Sequence, residues 1–177
     1  MPYLDLVPIL LDGSTDLLER LGNDLARTFP LTPQIRPAGF EADMALNADR
    51  AQYNSSQLLA LLLDSADKPE DRILGVAGVD LFIPILTFVF GEAQVYGPTA
   101  VVSIHRLRSE VYGLPPDPER SYRRLLIESV HELGHTWGLL HCLRPDCAMH
   151  SSTYVEEIDL KTPTLCRSCR RAVPEPA

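Results

Sequence analysis

The chain has 177 residues, 45% hydrophobic and 23% charged, enough apolar content for one core and too balanced for a disordered chain. Its formal net charge of -8 argues against nucleic acid as a partner, because phosphates need a basic surface, and its acidity reads as solubility. The runs "LLALLL" and "LFIPILTFVF" are too short to span a bilayer, and "MPYLDLVPILLDG" places no basic residue before an apolar run that Asp5 interrupts, so neither membrane span nor signal peptide is expected.

In chain order, "YLDLVPIL" alternates and reads as a first strand, and "STDLLERLGNDLARTF" repeats its leucines at helical spacing behind Ser14 or Thr15 as cap. "PQIRPAG" is a short second strand, and "QYNSSQLLALLLDSA" reads as helical. "DRILGVAGVDLF", "LTFVFGEAQVY" and "TAVVSIHRL" are strand-like runs parted by Gly and Pro. Helices and strands alternate early and strands cluster later, which predicts an α+β fold with a mixed sheet and helices packed on it. No linker divides the chain, so a single domain over 1–177 is expected, and its tail "VPEPA" is expected to fray.

The most legible helix follows. Asp117 suits the N-cap, Pro118 the first helical position and Glu119 the positive end of the dipole. The helix is predicted from about Pro118 to Trp137, with Gly138 supplying the left-handed residue that ends it. At about 100° per residue, His135 falls about 40° from His131, one turn along the same face, while Leu126, Val130, Leu133 and Trp137 take the opposite side. Two imidazoles stacked by one turn can reach one zinc ion. Glu132, at the edge of that face, is placed to accept a proton from a water activated there. Gly138 turns the chain so that His141 can return to the ion, and three histidines leave a fourth position open, the mark of a catalytic site.

These residues, "HELGHTWGLLH", resemble the metzincin zinc-binding signature. The following "HCLRPDCAMH" and "CRSC" narrow the resemblance to the archaemetzincins, in which four cysteines come after the third histidine. The resemblance implies a twisted mixed sheet above a cleft, the active-site helix below it, and a small C-terminal subdomain. The division is then 1–138, with sheet and active-site helix, and 139–177, with the third histidine and the cysteines. It also implies that Met149 forms the Met-turn, a bend beneath the catalytic metal.

All four cysteines lie after His141. Four residues separate Cys142 from Cys147 and two separate Cys166 from Cys169, spacings that let paired thiolates hold one tetrahedral, structural zinc. Disulfides would need an oxidising compartment, whereas the expected location is cytoplasmic, and a redox Cys-x-x-Cys would leave the first pair unexplained. Two zinc ions per chain are therefore expected, one catalytic and one structural.

His105 and His150 are lone histidines that read as structural or surface groups, and Tyr154, near Met149, is given no role in catalysis. "LTFVFGEAQV" can form an edge strand that takes an extended peptide by strand addition. The reading reached is a zinc peptidase with Glu132 as general base and acid, compatible with aminopeptidase action, whose partner is a peptide or protein substrate. The alternative is a zinc-bearing module that binds peptides or proteins with weak or latent catalysis.

Overall fold

Strand β1 (Tyr3–Ile9) buries Leu4, Asp5, Leu6, Val7 and Ile9 rather than every second residue, as a strand does when both faces of its sheet are covered. It pairs in parallel with β2 (Thr32–Ile35) on one side and β5 (Arg72–Ala77) on the other. β5 pairs in parallel with β8 (Thr99–Ser103), and β7 (Gly91–Ala93) completes the order β2-β1-β5-β8-β7 as an antiparallel edge. This computed structural model describes residues 2–66, 68 and 70–174. Among the described residues a second, small sheet joins β3 (Leu46–Asn47), β4 (Gln52–Asn54) and β6 (Leu81–Phe82).

Helices cover both faces of the large sheet. On one face, Leu4, Leu6, Leu74, Val76, Ala100 and Val102 pack with α1 (Thr15–Leu25) and α3 (Pro118–Thr136). On the other, Val7, Ile9, Ile73, Ala77 and Val101 pack with Leu58, Leu59 and Leu62 of α2 (Ser55–Asp64). This is the mixed α/β architecture that the element order predicts. Among the described residues after α3, the helices are the short α4 (Val155–Asp159) and α5 (Arg167–Arg170).

Several predicted elements change. Gln52–Asn54 pair in the small sheet instead of opening α2, and the Asn54 side chain caps that helix by accepting from the Gln57 amide. The run "DRILGVAGVDLF" splits at Gly78, where a Cβ would lie 2.3 Å from the Leu10 carbonyl oxygen. Of "LTFVFGEAQVY" only three residues form β7; Val89 makes a single bridge to Leu81. Pro84, which has no backbone donor, stands in the turn between them. β8 ends at Ser103, so His105 lies in a 3-10 turn rather than a strand. The tail is not frayed where it is described: Val173 is buried, and Arg170 donates to the carbonyls of Thr28 and Pro174. Glu175–Ala177 lie outside the described residues.

Candidate metal centres

α3 begins as its sequence demands. The Asp117 carboxylate accepts from the Arg120 amide at 3.0 Å, and Glu119 in the first turn also holds Arg20 through two contacts of 2.8 and 2.9 Å. The helix is buried more completely than a one-sided stripe predicts. Leu125, Ile127, Val130 and Leu133 face the core, but Arg124, Glu128, His131 and Glu132 are also buried. The reason is that the segment after Gly138 folds back over the polar face. Gly138 ends the helix with φ +84°, and a Cβ there would lie 2.1 Å from the ring of Tyr96, so both backbone and space require glycine.

Two backbone carbonyls fix the helix-borne imidazoles. His131 Nδ1 lies 2.8 Å from the Ala148 oxygen and His135 Nδ1 lies 2.7 Å from the Leu139 oxygen. A carbonyl only accepts, so each Nδ1 carries the proton and each Nε2 presents a lone pair. Those two Nε2 atoms are 3.1 Å apart. Neither can donate to the other, and two lone pairs at this distance repel unless a cation lies between them. Tetrahedral zinc with Zn–N of 2.0–2.1 Å would set such nitrogens about 3.3 Å apart. His141 completes the group, with its ring centroid 5.2 Å from each of the other two and the donor atoms of all three within 4.8 Å of one another. Burial holds the His131 ring neutral, its pKa lowered to about 3, and the nearby Lys161 and His135 act in the same direction. Burial lowers His135 as well. Neutral imidazole is the form that ligates a metal.

Glu132 is 6% exposed. Burial pushes its proton affinity well above that of an ordinary carboxylate, and the Glu128 and Glu92 carboxylates add to the effect. A group that must take and return a proton gains from such a shift. The room for Glu132 comes from Gly91 of β7, where a Cβ would lie 2.7 Å from both Glu132 Cγ and Oε1. The cleft here has two lobes. One, about 590 Å³, is lined by Gly91, Ala93, Val95, His135 and Leu140. The other, about 450 Å³, runs past Phe88, Glu128, Ser152 and Tyr154. A larger cavity of about 780 Å³ lies around the start of α3, where Arg20 pairs with Glu119 and Tyr122 with Asp24.

The four cysteines converge separately. Cys142 Sγ is 3.8 Å from Cys166 Sγ and Cys147 Sγ is 3.9 Å from Cys169 Sγ, with all four sulfurs within 4.8 Å. A tetrahedron with Zn–S of 2.3 Å has edges of about 3.8 Å, whereas a disulfide needs about 2.05 Å. Met149, fully buried, follows the Ala148 carbonyl that holds His131 and has its Sδ against Gly134; a Cβ on Gly134 would sit 2.3 Å from that sulfur. The Met149 carbonyl accepts from the Cys142 amide at 2.9 Å, which joins the bend to the cysteine site.

The remaining candidates lie outside both clusters. His105 contacts Arg108, and His150 Nδ1 lies 2.8 Å from the Cys142 carbonyl. Tyr154 lines a cleft lobe, largely exposed, and stands at the N-cap of α4. Sequence reasoning missed Gly91, Gly134, Glu128 and Lys161. Glu128 had a signal, since it lies one turn before Glu132 on the same helix face; the two glycines and Lys161 had none, because their partners are distant in sequence.

Imidazoles that converge with one side open to a cleft, next to a carboxylate placed for proton transfer, form a site of the metal-dependent hydrolase class. Comparison with known proteins narrows it. The profile described as Peptidase family M54 matches residues 29–175. The archaemetzincin of Methanocaldococcus jannaschii is 43% identical over 125 residues, 71% of this chain and 68% of that protein. The archaemetzincin of Archaeoglobus fulgidus is 36% identical over 159 residues, 90% of this chain and 92% of that protein. The crystal structure of archaemetzincin from Methanopyrus kandleri superposes with a TM-score of 0.81 at 34% identity, covering 96% of this chain and 92% of that one. The chain belongs to peptidase family M54, the archaemetzincins.

Proposed function

We propose that His131, His135 and His141 hold the catalytic zinc, that Glu132 moves the proton, and that Cys142, Cys147, Cys166 and Cys169 hold a second, structural zinc. The observation that carries the reading is the pair of Nε2 lone pairs 3.1 Å apart, each fixed by a proton on the far nitrogen. When bound, the ion supplies Lewis acidity, polarising a carbonyl oxygen and bringing the pKa of a water towards about 7. Glu132 accepts a proton at its carboxylate and returns it to the leaving amine. Residues 1–138 and 139–177 act as two subdomains of one unit, the second supplying His141 and, in Met149, the packing beneath the rings.

The substrate is a peptide laid along β7. In the antiparallel pairing of β7 with β8, the Phe90 carbonyl accepts from Ser103 and the Gln94 amide donates to Thr99, so the alternate residues Gly91 and Ala93 turn their main-chain groups away from β8. Those groups flank the histidines and Glu132. They can pair with any extended backbone, free of side-chain identity. The negative charge and the thiol tetrad support a peptide partner, not nucleic acid, met in the reducing cytoplasm. An amine-terminal substrate, cut by aminopeptidase action, fits the same machinery.

Glu132→Gln tests the reading: it should retain zinc and lose turnover. Unchanged hydrolysis would rule out Glu132 as the proton carrier. If the wild-type chain bound peptides but cut none in a peptide-library digestion, with or without chelator, the weak-catalysis binding module would stand instead.

A further inference from the structure

One ion pair lies wholly inside the protein beneath the cleft, and the chemistry above does not use it. Lys161 Nζ, 0% exposed, is 2.8 Å from Glu128 Oε1, itself on a residue 4% exposed. An ammonium has three protons to donate. The other two face the carbonyls of His150, at 3.0 Å, and Ala148, at 3.5 Å. These two carbonyls bracket Met149, and the Ala148 carbonyl is the one that accepts from His131 Nδ1. A single cation thus touches α3 one turn before Glu132 and both sides of the bend beneath the imidazoles.

The chain invests in holding this lysine in place. It follows α4, whose end is gripped from α3: Arg124 pairs with Asp159 through contacts of 2.8 and 2.6 Å, and Arg123 Nη2 donates to the Lys161 carbonyl at 2.5 Å. A buried ion pair is costly to desolvate, and apolar residues of similar volume are often as good or better for stability. Stability alone therefore does not account for a lysine here. Position does: an apolar side chain could fill the space but could not fix two carbonyl oxygens.

We infer that Lys161 is a positioning residue that, paired with Glu128, anchors the Ala148 carbonyl and so sets the orientation of the His131 ring towards the metal. The inference rests on His131 being a ligand of the catalytic zinc. Groups that orient a ligating imidazole typically change metal affinity or activity by roughly 10–100-fold when removed.

The test uses the full chain carrying both metals, with the double variant Glu128→Met/Lys161→Met and the single variant Lys161→Met. The single variant leaves a buried carboxylate unpaired and is the one at risk of not folding; the double variant removes both charges. The double variant should keep its thermal midpoint and its cysteine-bound metal. Its histidine-site zinc should pass to a chelator roughly 10–100-fold faster, and the absorption bands of cobalt substituted at that site should shift. With a peptide substrate, kcat should fall while KM stays. Lys161→Arg, which keeps the charge, should recover part of the loss. Wild-type zinc release and cobalt bands in the double variant would overturn the inference. So would failure of the double variant to fold, because the pair would then be a folding element. If the wild-type chain cut no peptide, the metal readouts would still decide the role of Lys161, so the two readings fail separately.

Discussion

The two donor clusters meet at a single peptide bond, between His141 and Cys142, yet they are built in opposite ways. The histidine cluster takes two donors from one rigid helix and the third from beyond its end, and it faces a cleft. The cysteine cluster takes all its donors from a segment with little regular structure and fills a tetrahedron. In the first, the sheet and α3 create the geometry and an ion would exploit it. In the second, the ion would create the geometry. Large cores can pre-form a site with an open position, whereas short segments need a closed site to hold them together.

The contrast can be broken at several points. The largest effect is expected from Cys169→Ser, which removes a buried sulfur from the tetrad. Structural zinc contributes on the order of 10 kcal/mol to small metal-folded units. Residues 139–177 should lose amide protection in hydrogen exchange while the strands of the large sheet keep theirs; uniform protection would mean that the segment folds without its metal.

Next comes Glu132→Gln, for which turnover of a peptide substrate should fall by about 10²–10⁴-fold at full zinc content. The two quantities are read by steady-state kinetics and elemental analysis on the same sample. Cys142→Ser sharpens the contrast because it removes no histidine. The Cys142 amide bonds to Met149, so loosening the tetrad should disturb His141 and the bend together and lower histidine-site zinc affinity by roughly 10–100-fold. Normal affinity in a competition titration would show the clusters to be independent.

The smallest effect is acid dependence of the metal-free chain. His131 has a folded-state pKa lowered to about 3 by burial, against about 6.5 when free, so the unfolded chain binds the extra proton first. Its contribution to stability is whole above about pH 6.5 and is lost as pH falls towards about 3. Thermal midpoints of apo protein should decline across that window, and His131→Gln should flatten the decline.

The histidine site was legible because its geometry is local. Helical periodicity alone puts His131 and His135 on one face, and a glycine after the periodic run announces the turn that brings back His141. The cysteine spacing was legible for the same reason. The strands before α3 were misjudged in length because β propensity marks residues that suit a sheet, whether or not a partner strand lies beside them. Phe88 and Val89 suit a sheet, but they run over the cleft and form its wall. Gly91 and Lys161 were invisible for a deeper reason: each matters through one neighbour, Glu132 or the Ala148 carbonyl, supplied by a distant part of the chain.

The brevity of β7 bears on which molecules this enzyme can digest. Its free edge is three residues long, so Gly91 and Ala93 together offer two N–H and two C=O groups. If substrates pair with β7 as proposed, so short a template would hold a strand that is already loose and would have too little purchase to draw one out of an intact fold. On that pairing, natively folded polypeptides should resist the enzyme and short, unfolded peptides should be cut.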